Sequence, residues 1–467
     1  HVTGVQTCAL PIWEVSITGT GELGAGVAGV VDVRGWGKLN GKWKFEFHDP
    51  YLKEWGGYIA IGYAWDVFVY SRSRELWRWD FPDKPSPSAM LASAGDEMNL
   101  GSFELRDRSY LSSPSYGVFN SSGHGLAHLA GAGDPANPAK LSVIQTNVYP
   151  RSEPVLASQG GVTLAVAVFD APARSAVNRT LAVSSFFDGQ NWSKPVPLGD
   201  DGTADFHPHV AVLPDGSAFA AWEDVATVLP DDAPLGEMVK RMEISVAVWN
   251  RATGAWAPAL RLTQNGYMDR SPRIVGHSSG DLLVVWVANR GNDVLGGAAM
   301  PNTVMFSAWN GTRWSEPAVA AEVPWPIMGC GVEYRDGRAE IVLSVDATGA
   351  AGAMEGWELY RLTYADRVRL PLTRITHDEV IDQDPQLVSN AAGEWFLAWS
   401  RGGVLQVARN FDVAGAQVVD GGDSSGGRGP FHLAAEDRGR MALLWRQPGP
   451  NASDIHAAFY DPAFKTW

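Results

Sequence analysis

The stretch Pro208-His-Val-Ala-Val-Leu-Pro-Asp-Gly-Ser-Ala-Phe-Ala-Ala-Trp222 decides the fold. It opens on a proline, alternates, turns at Pro214-Asp215-Gly216 and runs apolar to a tryptophan. Alternation with a period of two on either side of a glycine turn marks a hairpin of half-buried strands. The pattern recurs from Pro272 to Trp286, from Pro385 to Trp399 and from Pro430 to Trp445. Phe169 takes the tryptophan place after Pro154, and weaker copies run from Pro114 to Leu129 and from Gly331 to Val345.

A second half-pattern follows in several units: a strand, a tight turn, a tryptophan and then a proline. It reads Phe187-Asp-Gly-Gln-Asn-Trp192-Ser-Lys-Pro195, then Trp249-Asn-Arg-Ala-Thr-Gly-Ala-Trp256-Ala-Pro258, then Trp309-Asn-Gly-Thr-Arg-Trp314-Ser-Glu-Pro317. Asp188-Gly189 and Asn310-Gly311 are hairpin dipeptides, because such turns need positive φ. Four short strands per unit, repeated at roughly 40–65 residues, predict an all-β chain folded as a β-propeller. The anchors at 114, 154, 208, 272, 331, 385 and 430 give seven blades, with six as the alternative if the weak first copy is not a blade. The recurrent tryptophans are expected to pack between blades. Ser102-Phe-Glu-Leu-Arg106 is expected to close the ring by pairing with the last strand, Ile455–Tyr460.

Composition sets limits on function. The 467 residues carry a net charge of −15. Nucleic acid is thereby excluded as an expected partner, since phosphate binding needs clustered Lys and Arg. The 51 glycines and 29 prolines suit a turn-rich chain, and no apolar run is long enough for a transmembrane helix. There is no Cys/His cluster with metal spacing, so neither a metal nor another cofactor is expected. Of the two cysteines, Cys330 sits in an apolar, strand-like setting that suits an inert buried thiol.

Residues 1–12 stand apart. Val2 to Ile12 resembles the translation of a sequencing adapter and is expected to be non-native. That leaves any targeting signal, and the upstream domains of the same gene, outside the sequence. Residues 13–81 are Gly-rich and alternating, as in Trp43-Lys-Phe-Glu-Phe47, and predict a truncated β-sheet domain. Phe81-Pro-Asp-Lys-Pro-Ser-Pro-Ser88 reads as a stiff linker. The expected organisation is 1–12 non-native, 13–81 partial sheet, 82–100 linker and 101–467 propeller.

Propellers hold ligands at the mouth of the central channel, where loops enter the innermost strands. The residues just before the anchors are Arg151 and Glu153, Asp205 and His207, Asp269 and Arg270, and Asp382 and Asp384. If they converge, they form a ring of mixed charge suited to a polyhydroxylated ligand or to acid–base work. Two guanidinium groups, Arg151 and Arg270, suit a carboxylate. The competing reading is structural, since an Asp before a strand often bonds its own turn or a neighbouring backbone.

The Trp-Ser-x-Pro turns and Pro-x-apolar strands over 114–467 resemble sialidase-like propellers with Asp-box (BNR) repeats. Asp188-Gly-Gln-Asn-Trp192 and Asn310-Gly-Thr-Arg-Trp314 are one residue shorter than that box. The resemblance implies a propeller fold, because the box is structural in that family. Active sialidases also need an arginine triad and a Tyr–Glu pair, and only Arg151 and Arg270 offer themselves for these roles. The expected function is therefore a non-catalytic propeller module of an extracytoplasmic or cell-surface protein, binding glycan or another surface protein. The alternative is a secreted glycan-active enzyme, either a sialidase-like glycoside hydrolase or a polysaccharide lyase.

Overall fold

The computed structural model describes the backbone of residues 12–27, 31–46, 49–67, 70–81 and 104–105 and a few positions from 144 to 152. It also describes 154–467 apart from 277–279, 336, 348–355, 366–367, 379, 391, 421–430, 436–440, 449–452 and 463–465. The chain divides into two compact units, His1–Ser115 and Tyr116–Trp467. In the first, Ile12–Val27, Val31–Glu46, Asp49–Val67, Tyr70–Phe81 and Glu104–Leu105 form one antiparallel sheet in chain order. In the backbone register Trp43 pairs with Trp55 across one ladder of this sheet, and Ile59 with Trp79 across the next.

The second unit is a β-propeller of six blades among the described residues. Blade 1 holds Val155–Gln159, Val162–Asp170, Thr180–Phe187 and Val196–Pro197. Blade 2 holds Asp205–Val212, Ala218–Val225, Met242–Asn250 and Ala255–Trp256, with Leu260–Arg261 beside them. Blade 3 holds Met268–Gly276, Leu282–Asn289, Asn302–Trp309 and Ala318–Val323. Blade 4 runs from Ile327–Arg335 through Arg338–Asp346 and Trp357–Ala365 to Val368–Arg369. Blade 5 runs from Asp382–Ser389 through Trp395–Arg401 and Val404–Arg409 to Gln417–Asp420. Blade 6 has three described strands, Phe431–Ala435, Met441–Pro448 and Ser453–Tyr460.

Six blades stand among the described residues, the alternative count read from the sequence, and the Pro114–Leu129 copy lies outside them. One expectation is corrected. The ring-closing strand is overturned at its described residues: Glu104 and Leu105 pair with Ser71 and Tyr70 in the upstream sheet. A two-residue strand with alternating chemistry fits any open edge, and here it extends the sheet next to it in the chain. Of the adapter-like segment, residues 1–11 lie outside the described residues.

The apolar faces of successive blades pack in separate clusters, one at each interface from blade 1 to blade 6. Trp222 packs with Val162, Leu164 and Val166 of blade 1, Trp286 with Ile244 and Val246 of blade 2, and Trp399 with Val342 and Leu359 of blade 4. All three tryptophans are at most 1% exposed. An indole N–H so deeply buried needs an acceptor. The acceptor is always the aspartate three residues before the anchor proline. Trp222 Nε1 donates to Asp205 at 3.1 Å, Trp286 to Asp269 at 2.8 Å and Trp399 to Asp382 at 2.8 Å. Asp205 also accepts the Ala182 backbone N–H of blade 1 at 3.0 Å, tying the two blades together.

Blade 4 replaces both the tryptophan and the proline. Gly331 stands in the anchor place because a Cβ there would come within 2.4 Å of the Pro385 carbonyl oxygen of blade 5. The degenerate copy is thus a full blade whose innermost strand approaches its neighbour closely.

Burial pushes the Asp269 carboxyl up to about 7. The folded state therefore takes up a proton that the unfolded chain, with its carboxyl near 4, releases. This contribution to stability is complete below about pH 4 and is lost as pH rises through about 7, by up to about 1.4 kcal/mol per pH unit. Urea unfolding across that window should show a shallower decline for Asp269→Asn than for the parent chain; equal slopes would show that Asp269 folds ionised.

Candidate functional site

The anchor prolines do more than start the strands. In blades 2, 3 and 5 the pairing register slips at the anchor, between Phe206 and His209, between Arg270 and Arg273, and between Gln383 and Gln386. Each slip is a β-bulge opposite the buried tryptophan. The residue before the proline takes a left-handed backbone conformation, with φ of 43° at His207, 55° at Ser271 and 54° at Asp384. Positive φ is uncommon outside glycine and strained. Its recurrence on three blades makes it a property of the repeat. Bulges re-aim side chains, and these present His207, Ser271 and Asp384 at the end of the channel where the innermost strands begin.

At that mouth, blades 2 and 3 meet through Glu223, the residue after Trp222. Its carboxylate is fully buried. Oε1 accepts from His207 Nδ1 at 2.8 Å and from the Ser271 backbone N–H at 2.6 Å. Among the described residues Oε2 has no hydrogen-bond partner. Arg270 lies beside this group, 3% exposed, with Nη2 3.5 Å from the Ile327 carbonyl of blade 4. Burial holds its guanidinium below the usual range, and Glu223 is the largest charge opposing that shift, followed by Asp293. Charges taken out of water need each other, since a lone buried ion is expensive. The arrangement is a buried carboxylate that orients a half-buried imidazole.

The sequence candidates divide into three groups. His207 and Arg270 come together through Glu223, and Asp384 sits exposed on the same rim in blade 5. Asp205, Asp269 and Asp382 turn into the blade cores and accept the tryptophan N–H groups. Burial drives the Asp205 carboxyl well above the usual range and the Asp382 carboxyl up to about 6. Arg151 and Glu153 lie outside the described residues. Among the described residues no group of three His, Cys, Asp or Glu side chains is arranged to hold a metal ion, and no helix is long and apolar enough to cross a membrane. The sequence reading missed Glu223. Its signal was available: it follows the tryptophan that ends the second strand, so it returns to the same end of the channel as the anchor loops.

No family model and no curated protein matches the sequence. Solved structures resemble the chain at low identity. A protein of unknown function from Dyadobacter fermentans is 14% identical over 66% of this chain and 93% of its own, with a TM-score of 0.47. The α-L-arabinanase of Penicillium chrysogenum, solved with arabinobiose, is 13% identical over 66% and 93%, with a TM-score of 0.45. The sialidase of Trypanosoma rangeli is 11% identical over 70% of this chain and 56% of its own, with a TM-score of 0.42. None of these likenesses assigns an activity.

Glu223→Gln removes the charge that faces Arg270 and His207 while keeping the shape. It is expected to destabilise the chain by about 1.5–3 kcal/mol, the range for hydrogen bonds to charged groups. Urea denaturation at neutral pH measures this, and unchanged stability would show that the carboxylate carries no charge in the folded chain.

Proposed function

We propose that this chain is the propeller of an extracytoplasmic, glycan-active protein, with its acid–base chemistry at the channel mouth. The observation that carries the reading is the Glu223–His207 pair. A buried carboxylate that accepts Nδ1–H fixes the tautomer and orientation of the imidazole and steadies its cationic form. Proton exchange with a ligand then falls to Nε2. Asp384 and Ser271 on the same rim offer a carboxylate and a hydroxyl to sugar hydroxyl groups. Glycoside hydrolysis ordinarily uses two carboxylates flanking one bond. The described mouth has instead a carboxylate-backed histidine, which suits abstraction of a carbon-bound proton beside a uronate carboxyl, the step that begins polysaccharide elimination.

A second reading, a non-catalytic glycan-binding module, is favoured by a depression of about 440 Å³ at blade 5, lined by His377, Asp378, Arg401 and Gln406, whose charged and amide side chains suit sugar hydroxyl groups.

The test is incubation of the purified chain with uronate-containing and neutral polysaccharides, following unsaturated product and new reducing ends. Turnover of a uronate polymer is expected, reduced about 100-fold or more by His207→Ala, the usual worth of a general acid–base group. Binding without turnover would favour the module, and turnover indifferent to His207→Ala would remove the pair from the chemistry.

A further inference from the structure

Deeper in the channel, the innermost strands of four blades present one residue each at the same register, opposite the residue before the blade tryptophan. These are His209 opposite Ala221, Arg273 opposite Val285, Gln386 opposite Ala398 and His432 opposite Leu444. Gln386 is spent on the fold. Its Nε2 donates to the Phe431 carbonyl at 2.6 Å and its Oε1 accepts from the Leu433 N–H at 2.8 Å, stitching blade 5 to blade 6. His209 makes one such link, to the Ile274 backbone of blade 3, which leaves its Nδ1 over; Arg273 and His432 make none to a neighbouring blade among the described residues.

Arg273 is half-buried, and its guanidinium meets the Pro272 carbonyl at 3.2 Å. Among the described residues no carboxylate pairs with it. His209 and Cys330 lie within its electrostatic reach, and His432 within that of His209, so these side chains share one region of the channel. Neither His209 nor Cys330 supplies a countercharge. Burial, then Arg273 and His432, push the His209 imidazole down to about 3, and burial pushes the Cys330 thiol up to about 11. His209 Nδ1 is shielded from solvent and lacks a hydrogen-bond partner among the described residues. His432 is exposed. The circuit therefore holds an uncompensated cation beside a neutral imidazole with an unfilled acceptor. A ligand that satisfies both must carry an oxyanion and a hydroxyl donor.

We infer that Arg273, His209 and His432 form an inner subsite for a uronic-acid residue, with Arg273 taking the carboxylate and His209 Nδ1 accepting from a ring hydroxyl. As a statement of substrate class this rests on the glycan reading above. The subsite itself does not, because neither His207 nor Glu223 belongs to it.

The experiment titrates the full chain with glucuronate, glucose and inorganic sulfate. It follows heat and the imidazole nitrogen resonances of His209 and His432. Glucuronate should bind and move both resonances, while glucose should bind at least 10-fold more weakly. Arg273→Gln should weaken glucuronate at least 10-fold, Arg273→Lys should restore part of the loss by keeping the charge, and His207→Ala should leave binding intact. Equal affinity of Arg273→Gln and the parent chain, equal affinity for glucose and glucuronate, or a response to sulfate alone would overturn the subsite. Loss of turnover in His207→Ala with glucuronate binding preserved separates this site from the mouth. Turnover preserved in His207→Ala, with binding lost in Arg273→Gln, sinks the mouth chemistry and leaves the subsite standing.

Discussion

The second unit depends on one hydrogen bond made three times, from a tryptophan indole to an aspartate on the neighbouring strand of its own blade. A propeller needs wide, flat side chains to fill the wedge between blades, and tryptophan is the widest. Leaving its N–H unpaired in that wedge is costly. The aspartate three residues before the proline supplies the acceptor from inside the same blade, so blades 2, 3 and 5 each carry both the filler and the partner the filler needs. The cost is a carboxyl group buried beyond the reach of water, and the raised Asp205, Asp269 and Asp382 carboxyls record it.

That geometry explains how much the chain discloses before it folds. The repeat, the strands and the hairpin turns are local, and period-two alternation with Asp-Gly and Asn-Gly turns reveals them directly. Asp188 shows why: its Oδ1 accepts the N–H groups of Gln190 and Asn191 within the turn itself. Blade number was less legible, because the copies at Pro114 and Gly331 look equally weak as text. The Gly331 copy is a blade whose departures follow from a close approach to Pro385. Ring closure was not legible at all, since Glu104 and Leu105 can pair with any edge and take the nearest.

The candidate site divides along the same line. The run of ionisable residues before each anchor is visible in the sequence, but its members have opposite fates. The residue three before the proline turns inward to the indole, and the residue directly before it turns out to the mouth. A bulge separates the two, and bulges leave no mark in an alternation pattern. Glu223 escaped notice because its partners, His207 and Ser271, are joined to it by the pairing of strands and by the meeting of two blades. Arg273, His209 and His432 are ordinary strand residues as text, and only the ring brings them round to one another.

The left-handed residue ahead of each proline has a consequence for how such a chain can change. Its backbone is set by the bulge, the proline and the tryptophan behind it, none of which depends on what side chain it carries. Three blades present histidine, serine and aspartate from the same conformation. The position works as a socket: an imidazole, a hydroxyl or a carboxylate can be exchanged there while the ring that holds it stays the same. Chemical diversification at the rim is thereby freed from the backbone, fully so at the exposed Asp384 and less so at His207, whose imidazole also satisfies the buried Glu223.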